Sequence, residues 1–169
     1  FTQNSLHETP GGAGNAQNCL EYWRTVIHLI GQMGVNRPVK TRFVTPDGRI
    51  VFRWDDEVRT IYTLETKKVL AAISEASAVL LSDYDKGCLT PSLIRSVINV
   101  CTERGIPCVA DAKRAPKLYR KAILKCNKDY AIKWNCQGDV TTVGPDLPFV
   151  GRWRLDTGLP PVKCINHVG

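Results

Sequence analysis

Residues 78–111 read AVLLSDYDKGCLTPSLIRSVINVCTERGIPCVAD. Ala78-Val79-Leu80-Leu81 is an unbroken apolar run, the composition of a buried strand, and it ends at Ser82-Asp83. Thr90-Pro91 then opens a helix, because threonine caps helix N-termini and proline is tolerated at the first helical position. Leu93, Ile94, Val97, Ile98 and Cys101 recur at helical spacing and form one apolar stripe. Arg104-Gly105 closes the helix with a basic last turn and a C-cap glycine. Pro107-Cys108-Val109-Ala110 is a second apolar strand, ending at Asp111. Strand, helix, strand with so long a crossover is a parallel pairing. Apolar strands without alternation belong in a sheet covered on both faces. The fold class is therefore α/β, a mainly parallel sheet flanked by helices.

Toward the C-terminus, Ala122–Leu124 is a further strand running toward Asn127. Beyond it, residues 138–158 are rich in glycine and proline and hold only short strands. Toward the N-terminus, Val58 to about Glu75 has helical spacing of Leu64, Leu70 and Ile73. Before that lies a hairpin: Arg37–Val44 and Arg49–Trp54 flank Thr45-Pro46-Asp47-Gly48, whose Pro and Asp-Gly are turn chemistry. Pairing Val44 with Arg49 puts Val39, Thr41, Phe43, Ile50, Phe52 and Trp54 on one face. Lys40, Arg42 and Arg53 fall on the other, so the ribbon is apolar on one side and basic on the opposite side. Arg24–Ile30 reads as a short strand, Ala16–Tyr22 as the start of a helix, and Pro10-Gly11-Gly12-Ala13-Gly14-Asn15 as a glycine-rich turn.

The 169 residues are 43% hydrophobic, enough for one domain with its own core. No run approaches the roughly 18 apolar residues of a membrane span, and no charged start precedes an apolar signal core. The reading is a cytoplasmic protein without membrane partners. The net charge is +7 but dispersed, with no basic block or aromatic-basic signature, which speaks against nucleic acid and suits phosphorylated anions. The seven cysteines are odd in number and lack any Cys-x-x-Cys pair, so they read as reduced, mostly structural thiols rather than zinc ligands. His7, His28 and His167 are scattered, and no Gly-x-Ser-x-Gly elbow or Walker A loop is present.

Parallel sheets bind ligands at the carboxyl ends of their strands. Those ends carry Asp83, Asp111 and Asn127, and the loops beyond add Asp85, Lys86, Lys113 and Arg114. Carboxylates, an amide and cations on one edge suit sugar hydroxyls, phosphate and Mg²⁺. Gly11, Gly12 and Gly14 free the backbone of Cβ obstacles and let its amides approach a ligand.

These segments resemble the ribokinase-like (PfkB) carbohydrate kinases. Pro10-Gly11-Gly12-Ala13-Gly14-Asn15 is similar to their N-terminal sugar-binding signature. Pro38-Val39-Lys40-Thr41-Arg42 and the hairpin return resemble the lid of the heptose-phosphate kinases, a β lid spanning residues 37–56. Leu81-Ser82-Asp83-Tyr84-Asp85-Lys86-Gly87 resembles their Leu-Ser-Asp-Tyr-x-Lys-Gly segment, the most specific of the matches. Val109-Ala110-Asp111-Ala112-Lys113 resembles their Asp-Pro-Lys strand end, and Cys164–Gly169 the lead-in to Gly-Ala-Gly-Asp.

The resemblance implies a single ribokinase-like domain over residues 1–169. It implies ATP-dependent phosphorylation of a sugar phosphate, D-glycero-D-manno-heptose 7-phosphate at O1, with ATP and Mg²⁺, in a homodimer joined through the lid. It assigns Gly11, Gly12, Asn15, Lys40, Arg42, Asp83 and Lys86 to the sugar phosphate, and Lys113, Asn127 and Gly169 to the phosphates of ATP. The family's catalytic Asp would fall after Gly169, which makes the domain as written incomplete and slow or inactive. Two further departures are plain. Asn127-Lys128-Asp129-Tyr130 has Tyr where the family's Asn-x-x-Glu has Glu, and the stretches after Asn15 and Trp134 are short of whole strand-helix units. The alternative is an inactive kinase-fold subunit serving assembly.

Overall fold

A computed structural model of the chain describes residues 11–31, 39–56, 64–143, 146–150 and 153–154. The chain divides into two compact units, Phe1–Ile30 and Gly31–Gly169. In the first, helix α1 runs Gly12–Glu21 with Gly11 at its N-cap, so the helix starts four residues before the Ala16 expected from the sequence. None of its residues is buried. Arg24–Ile30, read as a strand, is not one: its backbone has no ladder, and Val26 is exposed. A short apolar run specifies a strand only when a neighbour takes up its backbone groups.

The second unit holds two sheets. Strands β1 (Val39–Val44) and β2 (Ile50–Asp56) make the two-stranded antiparallel one. Its turn closes as its chemistry dictates: Gly48 adopts φ 83°, its N–H donates to the Thr45 carbonyl at 2.8 Å, and the Arg49 N–H donates to Thr45 Oγ1 at 3.1 Å. The register differs from the expected one. Val44 pairs with Ile50 but Phe43 pairs with Phe52, a bulge that leaves Val51 as the extra residue. Thr41 then faces Trp54 and Val39 faces Asp56. Val39, Thr41, Phe43, Phe52 and Trp54 keep one face as expected, but the bulge moves Ile50 opposite Val44, to the face where Lys40 stands opposite Asp55 and Arg42 opposite Arg53. Val39, Phe43, Phe52 and Trp54 remain exposed, Trp54 at 63%.

The main sheet has the order β3-β4-β5-β6-β7-β8. Strands β3 (Val79–Ser82), β4 (Cys108–Asp111), β5 (Ile123–Asn127) and β6 (Val140–Val143) are parallel; β7 (Asp146–Val150) and β8 (Trp153–Arg154) return antiparallel. The α/β expectation is met, as is the parallel pairing of the two strands in residues 78–111. Helix α2 (Thr66–Ile73) is shorter than expected on its described side, and residues 57–63 lie outside the described set. Helix α3 (Pro91–Arg104) has the expected ends: Thr90 Oγ1 accepts the Leu93 N–H, and Gly105 is left-handed at φ 67°. Its five-residue apolar stripe is buried throughout and forms the centre of the core with Val69 and Ile73 of α2, Leu81, Ala110 and Cys126 of the sheet, and Tyr119 and Tyr130.

A helix α4 (Lys128–Trp134) follows β5, where the sequence pattern shows no helix. Its signal is local: Asn127 is an N-cap whose Oδ1 accepts the Tyr130 N–H at 2.8 Å, and Asp129 sits in the first turn. The chain returns through Gly138, where backbone meets β5 so closely that a Cβ would lie 2.7 Å from Cys126 Sγ and 2.9 Å from the Leu124 carbonyl oxygen. Gly138→Ala is therefore expected to destabilise the fold by about 1–3 kcal/mol, as overpacking against backbone does. Urea unfolding measures it, and a variant as stable as the parent would mean that the 136–139 turn shifts without cost. The described cysteines form no disulfide with one another, and burial pushes the Cys108 thiol up to about 12, in keeping with a structural role. Cys164 lies outside the described residues.

Candidate functional site

Parallel pairing brings the carboxyl ends of β3 and β4 to one edge, with Ser82 opposite Asp111. The Asp83 N–H extends the ladder by one bond, to the Asp111 carbonyl at 3.0 Å. The Asp111 carboxylate pairs with Lys125 of β5 at 3.1 Å.

Asp83 is the buried charge of this edge, 2% exposed. Its Oδ2 accepts from Arg114 Nε at 2.9 Å, Arg114 Nη2 at 2.6 Å and the Tyr119 hydroxyl at 2.6 Å; its Oδ1 accepts the Asp85 N–H at 2.8 Å. A buried carboxylate is tolerated only with such partners. Burial works against the Arg114 charge, but the bonds to Asp83 outweigh it and hold the guanidinium above its ordinary pKa. Burial, with the Asp83 carboxylate adding to it, raises the Tyr119 pKa, so its hydroxyl stays a donor at neutral pH. Arg114 Nη2 also donates to the Leu89 carbonyl, and Arg114 Nε lies 3.5 Å from Asp85 Oδ1.

Around this hub lie the cations. Lys86 is half-buried in the loop after β3, a loop turned by two left-handed residues, Asp85 at φ 55° and Gly87 at φ 92°. Lys113 is exposed after β4, its ammonium 5.6 Å from the centre of the Tyr84 ring. Asp83, Lys86 and Lys113 thus belong to two adjacent strand-end loops, as the sequence placed them. Asn127 stands at the end of β5, where its side-chain oxygen serves as the α4 cap. Tyr130, in the place of the family's Glu, is 6% exposed and turns its hydroxyl to the Arg114 carbonyl at 2.6 Å. Burial foremost pushes that hydroxyl up to about 12. Tyr119 had no signal in the sequence; Arg114 was visible there only as one loop cation among several.

The remaining expected residues stand on other elements. Gly11, Gly12 and Asn15 are the cap and first turns of α1 in the N-terminal unit. Lys40 and Arg42 are on the polar face of the hairpin, where the Lys40 ammonium is 3.2 Å from Asp55 and Arg53 is 2.7 Å from the same oxygen. Those two bonds overcome the upward push of desolvation and lower the Asp55 pKa. Gly169 lies outside the described residues. Among the described residues no three His, Cys, Asp or Glu side chains are grouped to hold a metal. No described helix is long and apolar enough to cross a membrane. An open cleft of about 490 Å³ runs beside α4, lined by Lys128, Ala131, Ile132, Cys136 and Thr141; it includes none of Asp83, Lys86, Lys113 or Arg114.

Curated relatives share the name bifunctional protein HldE. The one from Granulibacter bethesdensis is 35% identical over 144 residues, covering 65% of this chain and 29% of its own. That from Nitratiruptor is 31% identical over 175 residues, covering 86% of this chain and 37% of its own. That from Geobacter metallireducens is 42% identical over 79 residues, covering 44% and 16%. The first two alignments hold more positions than this chain supplies, so the relatives carry residues with no counterpart here, in keeping with the short spacings in the sequence. The chain spans well under half the length of these relatives. No protein-family model matches the chain, and no solved structure does. The relatives bear out the family resemblance read from the sequence.

Proposed function

We propose, taking kinship with the bifunctional HldE proteins as the premise, that this chain is the sugar-phosphate-binding part of an ATP-dependent heptose-phosphate kinase. The observation that carries the reading is the pairing of two loops with exposed and half-buried lysines, Lys113 and Lys86, on the carboxyl edge of parallel strands. Loops at that edge are where α/β sheets bind ligands, and ammonium groups are partners for phosphate. The substrate is a heptose 7-phosphate phosphorylated at O1, with ATP as donor and Mg²⁺ accompanying its phosphates. No described residue is assigned to the metal. Lys86 and Lys113 bind and orient anionic oxygens, and Asp83 holds their loops in register. Gly11, Gly12 and Asn15 serve the sugar, Lys40 and Arg42 reach it from the lid, and Asn127 and Gly169 serve the nucleotide side. The apolar face of the lid, Val39, Phe43, Phe52 and Trp54, is covered by the lid of a second copy in a cytoplasmic homodimer.

A second reading rests on Tyr130. Its hydroxyl is engaged with the Arg114 carbonyl where the family has a carboxylate, which suits an inactive kinase fold that serves assembly. Two measurements on the natural protein separate the readings: calorimetric binding of heptose 7-phosphate, and its Mg²⁺-dependent stimulation of ATP consumption. The kinase shows both, and Lys86→Ala weakens sugar-phosphate binding by about tenfold, the loss of one charge-assisted bond. Binding without ATP consumption supports the inactive subunit. Absence of binding removes the sugar phosphate from the proposal.

A further inference from the structure

We propose that Arg114 is a positioning residue: its guanidinium latches the loop after β3 to the loop after β4 and so sets the spacing between Lys86 and Lys113. The proposal rests on the sugar-phosphate reading for its purpose but on geometry for its substance. One planar fork reaches both ends of the β3 loop. It bonds Asp83 twice at the start and the Leu89 carbonyl at the end, with Asp85 at 3.5 Å between them. Lys86 lies inside the span thus closed. Lys113 immediately precedes Arg114, and its ammonium stacks over Tyr84 of the same β3 loop. The latch is itself held from behind, because Tyr130 of α4 bonds the Arg114 carbonyl and Tyr119 bonds the oxygen that Arg114 uses. The β3 loop contains two left-handed residues, and two such positions make a conformation that needs outside support.

A buried ion pair is a poor way to gain stability compared with apolar packing. It is a good way to fix geometry, and arginine does so through a rigid fork that lysine lacks. Tyr130 thereby has a task in this chain, bracing the latch.

The test uses Arg114→Lys and Tyr130→Phe in the natural protein, read by amide hydrogen exchange and by calorimetric binding of heptose 7-phosphate. Arg114→Lys keeps a positive charge opposite Asp83 but cannot reach Leu89 as well. Exchange at residues 85–89 and 113 is expected to rise at least about tenfold while the amides of Leu93–Cys101 hold. Heptose 7-phosphate affinity is expected to fall by up to about tenfold, the scale of losing one charge-assisted bond. Tyr130→Phe leaves the ion pair intact and gives the same pattern in smaller measure, so it serves if Arg114→Lys does not fold. Exchange unchanged in the two loops, or raised equally across Leu93–Cys101, overturns the latch. A parent protein that fails to bind heptose 7-phosphate overturns the functional reading instead, and the exchange result still decides the latch.

Discussion

Asp83→Ala is expected to lower folding stability by about 3 kcal/mol, toward the lower end of what breaking a buried ion pair costs. The substitution removes the acceptor of three side-chain bonds at once and leaves the Arg114 charge without its carboxylate. The Arg114 side chain is 18% exposed, so water recovers part of its solvation, and this keeps the figure from the upper end. The Tyr119 hydroxyl, 2% exposed as a residue, has no such recourse and becomes an orphan donor. Asp83→Asn keeps an acceptor in place and should cost less. The double variant Asp83→Ala with Arg114→Met removes the stranded charge and should be more stable than Asp83→Ala alone, a non-additivity that only direct coupling produces. Urea unfolding of the set reads all of this. An Asp83→Ala protein within 1 kcal/mol of the parent would mean that Arg114 finds another counter-charge.

Ile94→Ala should cost about 2–5 kcal/mol. Ile94 has no exposed surface and stands in the stripe of α3 that meets α2 on one side and β4 on the other. The spread in such substitutions reflects how far the surroundings collapse into the space left behind. Collapse is hindered here, since Ala110 belongs to a strand paired on both sides and Thr90 and Gly105 fix both ends of α3. Ile94→Val should cost only about 0.5–1.5 kcal/mol. A shift in the urea midpoint at constant slope identifies a stability effect rather than a change in the unfolded state. A loss below 1 kcal/mol would place Ile94 outside the cooperative core.

How far the fold was legible follows from where its determinants sit. Residues 78–111 carry theirs locally: an apolar run, a capped and terminated helix, a second apolar run. Each signal pointed the same way, and the segment folds as read. Arg24–Ile30 failed because strand formation depends on a partner the run does not contain. The hairpin turn was readable, but the bulge at Val51 was not, since a bulge reflects side-chain packing across the pair rather than turn composition. Helix α4 has a local cap in Asn127, but at seven residues it is too short for a helical period to show in the sequence. For the site, the sequence brought Asp83, Lys86 and Lys113 to one edge by the strand-end rule. What it left open was the direction of the side chains. Asp83 turns inward to Arg114 and Tyr119, 31 and 36 residues along the chain, and no local pattern encodes contacts at such separation.

The sheet order β3-β4-β5-β6-β7-β8 is also the order in which a ribosome makes the strands. Each strand finds its ladder partner in the one synthesised just before it, so no pairing waits on residues still to be translated. Each closure joins strands consecutive in the chain, and loop-closure entropy rises only slowly with length, so each addition faces a modest entropic barrier. An interrupted nascent chain would therefore carry two strand edges, a constant one on β3 and a moving one on the last strand made, which the next strand covers as the chain lengthens.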